Sequence, residues 1–128
     1  MLTPKDMVKL EDEKFPEEDV VLRIDEEIRQ NFGKRSYQQA WLDFVVPLRI
    51  REKIAAKYCR CGWKYVYHIA GNEKSTTFDK TFFYFSQEPI EEYDIEKFYL
   101  VQKSEVNMNE FAIYKGDNLI KNLTLEGE

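Results

Sequence analysis

The feature that most constrains this chain is a change of hydrophobic period at Gly62. Before it, Ile50, Ile54, Tyr58 and Cys61 recur at steps of three and four, the spacing of one face of a helix; after it, Trp63, Tyr65, Tyr67 and Ile69 alternate with Lys64, Val66 and His68, the period of a strand. Pro47 suits the first position of that helix, Ala55 and Ala56 are strong helix formers, and Gly62 supplies the stop. A helix feeding directly into a strand narrows the fold to a class that mixes both.

The alternation continues past a turn. Ala70 to Ser75 contains Gly71 and Asn72, and Thr76 to Ser86 reads as a second strand, giving a hairpin. Phe78, Phe82 and Tyr84 share one face and Phe83 and Phe85 the other, so the distal half is apolar on both sides, as in a strand with neighbours on both edges. The rings after Gly62 are therefore expected chiefly to fill the interior. Pro89 with Glu91, Glu92, Asp94 and Glu96 predicts a solvated link or short helical turn before a third strand at residues 98–102. Phe111 to Tyr114, a Gly116-Asp117-Asn118 turn and Leu119 to Leu125 predict a final hairpin.

Upstream, Pro16 followed by Glu17, Glu18 and Asp19 opens a helix whose apolar stripe is Val21, Ile24, Ile28 and Phe32, with Asp25 and Glu26 on the wet side. Residues 36–46 support two readings. Ser36 with Gln39 resembles a capping box, and Tyr37, Ala40, Trp41 and Phe44 keep helical spacing; Val45 and Val46 before Pro47 favour extension, so residues 42–46 also fit a short strand. A helical turn or two is the expectation. Residues 1–15, interrupted by Pro4, read as a flexible arm, residues 16–125 as a single domain and residues 126–128 as a frayed terminus. The fold class is α+β: two or three helices packed on one face of a small, mainly antiparallel sheet.

Charge is unevenly placed. The net charge is −5, yet residues 34–62 carry seven basic side chains against two acidic ones, while residues 1–33 carry five against ten. The basic segment either pairs with the acidic one or faces an anionic partner. Arg49, Arg51, Lys53, Lys57 and Arg60 are expected on the polar surface of the helix after Pro47. Beside Trp63, Lys64, Tyr65 and Tyr67 they offer rings and cations suited to single-stranded nucleic acid, although no RNP signature is present. The opposite reading has the acids of residues 11–27 occupying a basic groove on another protein.

Motifs for reaction chemistry are sparse. Cys59-x-Cys61 with His68 has metal-ligand character, but structural zinc takes four ligands and a second cysteine pair is absent. His68 is the single histidine, and no nucleophile motif accompanies Ser75, Ser86, Thr76 or Thr77. The carboxylate runs Glu11-Asp12-Glu13, Glu17-Glu18-Asp19, Asp25-Glu26-Glu27 and Glu91-Glu92 read as solvated faces. The five glycines are isolated, which excludes a P-loop and a dinucleotide fingerprint. No catalytic, cofactor or metal residue is assigned. No apolar run approaches the roughly eighteen residues of a membrane span, and two close cysteines fit a reduced, cytoplasmic setting.

Across Ile50 to Phe85, the succession of helix, Gly62-Trp63 and aromatic hairpin, with Tyr58 four residues before the glycine, resembles small uncharacterised bacteriophage accessory proteins. The resemblance implies a viral-type accessory protein that works by contact in the host cytoplasm, most simply on a protein. The expected contact surface is Glu17, Glu18, Asp25, Glu26, Arg49, Arg51, Lys53 and Lys57, with nucleic-acid binding through residues 47–61 as the alternative.

Overall fold

A computed structural model of the chain describes residues 1–73 and 79–125. Six strands form one antiparallel sheet: β1 (Gln38–Leu42), β2 (Tyr65–Ala70), β3 (Thr81–Ser86), β4 (Tyr99–Lys103), β5 (Glu110–Lys115) and β6 (Asn118–Thr124), in the spatial order β1-β3-β2-β4-β5-β6. Helices α2 (Glu17–Asn31) and α3 (Leu48–Arg60) pack on one face of it, α2 over β1 and α3 over β2 and β4. This is the α+β arrangement expected from the order of the elements. Among the described residues no helix is long and apolar enough to cross a membrane.

The β2–β3 hairpin carries the register. Val66 opposes Phe85 and His68 opposes Phe83, so Val66, His68, Phe83 and Phe85 all turn to the helices, where each is completely buried. They close the main core with Ile24, Leu42, Val46, Ile54, Val101 and Ile113. Tyr67 and Ile69 point to the opposite face and form a second core with Tyr37, Ile90, Ile95 and Phe98. The link after β3, expected as solvated, thus lays two isoleucines and a phenylalanine over the back of the sheet. The acids between them stay outside. Residues 76–78 of the anticipated second strand lie outside the described residues, and the described strand begins at Thr81.

Residues 38–42 form a strand, not the helical turn that their spacing suggested. β1 pairs with β3 through five residues, with Ala40 and Leu42 buried and Trp41 on the other face edge-on to Phe82, ring centroids 5.4 Å apart. Short apolar runs are ambiguous between helix and strand, and here an aromatic strand with an open edge supplies the decisive pairing. The Thr81 hydroxyl then fastens the link to α3, donating to Phe44 O at 2.7 Å and accepting from Val46 N at 2.9 Å.

Three further expectations change. Residues 4–14 are a helix, α1 (Pro4–Lys14), because Pro4 sits at its first turn and Thr3 and Asp6 complete a reciprocal capping box; none of its residues is buried. In α2 the buried positions are Val20 and Ile24, while Phe32 follows the helix end and is 73% exposed. In α3 the inward cysteine is Cys59, and Cys61 is exposed. The sheet beneath α3 is wide enough to cover Arg51 and Glu52 as well.

Candidate binding surface and the buried polar cluster

The eight side chains expected to form one contact surface are used in several ways. Lys57 Nζ lies 2.8 Å from Glu17, joining α3 to α2; Arg49 lies 2.7 Å from Asp12 and also donates to Val8 O, joining α3 to α1. The Arg49 hydrogen bond holds the Asp12 carboxyl below its usual range. Asp25 accepts the Tyr58 hydroxyl at 2.6 Å, and burial with this acceptor pushes the phenol far up. Glu26 stays on its own helix with Arg29 and Gln30. Glu18 and Lys53 are exposed. The basic segment therefore pairs largely within the protein, and the helix after Pro47 does not present a free row of cations.

Arg51 departs most from expectation. It is 3% exposed, at the start of α3, because Ile50 and Ile54 press this part of the helix onto the sheet. Its guanidinium is fully engaged: Nε donates to Val46 O at 2.7 Å, Nη1 reaches His68 Nδ1 at 3.1 Å, and Nη2 pairs with Glu73. Glu73 also accepts from Ala70 N at 3.1 Å, which pins the 3-10 turn Gly71–Glu73 to the end of β2. Tyr99 stacks on His68 with centroids 5.5 Å apart, and the Lys115 ammonium lies 4.1 Å from the Tyr99 ring centre. Nearby, Glu52 is almost buried and binds Lys121 at 2.7 Å, tying α3 to β6.

Because Arg51 can only donate, His68 Nδ1 must accept and the proton of the neutral ring sits on Nε2. Burial first, then the charges of Arg51 and Lys115, hold the imidazole well below its ordinary value. A ring so poor at taking a proton, with its free lone pair already occupied, is a structural acceptor rather than a general base. Its Nε2 has no partner among the described residues. The sequence did not single out Glu52, Glu73, Tyr99 or Lys115. The available signal was Arg51 itself, beside Ile50 in a broad apolar band.

The two cysteines point apart. Cys59 donates to Val101 O at 3.3 Å and burial pushes its thiol up to about 12, so it is not a thiolate ligand; Cys61 caps the helix outside. Among the described residues no group of three His, Cys, Asp or Glu side chains could hold a metal ion.

Concavity gathers around Trp63 instead. Gly62 takes φ +124°, outside the range of other residues, and this turns the chain from α3 into β2. Gln87 clamps the turn from β3, its amide donating to Gly62 O at 3.0 Å and its oxygen accepting from Lys64 N at 3.2 Å. Trp63 packs on Phe85 at 5.8 Å and separates two hollows. One, of about 680 Å³, is lined by Trp63, Lys64, Tyr65, Gln102, Lys103 and Met108, among others. The other, of about 460 Å³, is lined by Tyr37, Trp63, Ser86, Glu88, Ile90 and Glu92, among others. Of the alternating rings, Trp63 and Tyr65 thus face open space, while Tyr67 is buried and accepts from Ile90 N. No known protein-family profile, curated protein sequence or solved structure matches the chain.

Proposed function

We propose that the chain is a viral-type accessory protein that acts in the cytoplasm by binding another protein, and that the contact region centres on Trp63. The observation that carries this reading is the contrast between a basic helix whose cations serve internal contacts and a concave apolar surface that is left open. Arg49, Arg51, Lys57 and Arg60 are held by Asp12, Glu73, Glu17 and Asn109. Trp63 and Tyr65, by contrast, line a hollow whose lip carries Val106 and Met108, 93% and 61% exposed. Apolar side chains grouped at a concavity mark recognition sites more often than scattered ones do. Internal neutralisation also weakens the nucleic-acid alternative, which requires cations free to replace counterions.

The test is photo-crosslinking from position 106 in cells that make the protein, followed by mass spectrometry, with nuclease added before purification. A discrete protein adduct that survives nuclease and disappears in Met108→Asp is expected. Recovery of nucleic acid alone, with affinity falling steeply with salt, would transfer the assignment to the alternative.

A further inference from the structure

The larger hollow has a defined chemistry. Its wall and floor are Trp63, Tyr65 and Ala112, and its rim holds Lys64 and Lys103 against Glu105 alone. Cations thus outnumber acids at this concavity, in a protein whose net charge is −5. On the other side of Trp63 the smaller hollow is lined by Glu88, Glu91 and Glu92 and by no lysine or arginine.

The lip is built in advance. In the loop between β4 and β5, Val106 N donates to Ser104 Oγ at 3.2 Å, Asn109 N to Asn107 Oδ1 at 2.9 Å, and Ser104 N to Glu110 O at 2.9 Å. Arg60 holds Asn109 at 2.7 Å from α3, and Leu125 N donates to Asn109 O. Val106 and Met108 therefore project into solvent from a backbone whose turn is already hydrogen-bonded, which lowers the ordering cost of binding. Methionine adapts to varied apolar surfaces.

Resting on the reading of a protein partner, we propose that this hollow receives an acidic peptide segment with an apolar anchor. An aromatic or leucyl side chain seats against Trp63, Tyr65 and Met108, and flanking carboxylates of the segment meet Lys64 and Lys103. The rim lysines select by sign, since a basic segment would leave both unpaired and a neutral one would forgo the attraction.

The experiment uses the full chain and labelled synthetic peptides read by fluorescence anisotropy. One probe carries aspartate and glutamate around a central Trp-Leu pair; its counterparts replace the acids by their amides or by lysine, and oligothymidylate is the fourth probe. The acidic peptide is expected to bind about tenfold or more tighter than the amide peptide at low salt, and to shift the Trp63 indole and Met108 methyl resonances. In Lys64→Glu/Lys103→Glu, whose substitutions touch no described side-chain hydrogen bond, the preference should reverse toward the lysine peptide. Equal binding of acidic and amide peptides, an acidic preference that survives the double substitution, or oligothymidylate alone shifting Trp63 would overturn the proposal. Failure of the acidic probe together with a cross-linked partner from cells sinks this site chemistry and leaves the protein-binding reading standing; acidic-peptide binding without any cellular adduct does the reverse.

Discussion

His68 makes the stability of this fold depend on mild acid in a way that can be calculated. The ring is completely buried, with Nδ1 facing Arg51, and its protonation is disfavoured by burial and by the charges of Arg51 and Lys115. The other charged neighbour in the cluster, Glu73, is committed to Arg51, and Tyr99 covers the ring. In the unfolded chain the imidazole returns to an ordinary value near 6.5. Well above that pH both states hold it neutral and it contributes no pH dependence. Below it the unfolded chain takes up a proton that the native state refuses, so stability falls as pH falls, by up to about 1.4 kcal/mol per pH unit. The loss continues until the native ring itself protonates. Allowing for partial titration near the midpoint, about 1 kcal/mol should disappear between roughly pH 6.5 and 5.5.

Carboxylates contribute their own acid dependence, so the measurement is a difference. Urea unfolding of the wild type and of His68→Gln would be followed by tryptophan fluorescence at intervals from about pH 7.5 to 5.5. Glutamine can still accept from Arg51 but does not titrate. The variant should be less stable at the upper end, where it lacks the Tyr99 stacking, and the gap should narrow by about 1.4 kcal/mol across this range, about 1 kcal/mol of it below pH 6.5. A gap that stays constant over this range, or that widens, would refute the neutral buried imidazole.

Arg51→Met should destabilise by about 3–5 kcal/mol in the same unfolding assay, because it leaves Glu73 and His68 without their partner; Lys53→Met, at an exposed neighbouring position, should change stability by no more than about 0.5 kcal/mol. Thr81→Val removes both hydrogen bonds that fasten residues 44–46 and should cost about 1–3 kcal/mol, while Ser104→Ala, at a half-exposed loop position, should cost less. A thiol reagent near neutral pH should modify one cysteine rapidly, abolished by Cys61→Ser, and reach Cys59 only at the rate of unfolding; rapid double labelling would contradict the burial of Cys59.

Much of the architecture was legible wherever one local signal decided the outcome. Pro16 and Pro47 mark the starts of α2 and α3, Gly62 separates helix from strand, and Gly116, at φ +62°, makes the last hairpin turn. Each rests on the conformational preference of a single residue or on periodicity across one segment, and both act over a few residues of chain. The Trp63 hollow was less legible, because alternation places Trp63, Tyr65 and Tyr67 on one face, whereas Trp63, which precedes β2, packs with Phe85 against the helix-side core. Tyr65 lies half-buried at the border of the cluster that Tyr67 forms with Ile90 and Ile95.

By itself the sequence determined an α+β chain, the helix-to-strand switch at Gly62, the two hairpins and a basic segment with acids able to neutralise it. Only the tertiary structure decided that residues 38–42 become a strand, that Arg51 turns inward to His68 and Glu73, and that concavity collects beside Trp63. The physical reason is range. Propensity and period act between near neighbours, whereas strand pairing, burial of a charge and the shape of an open surface depend on residues brought together from distant parts of the chain.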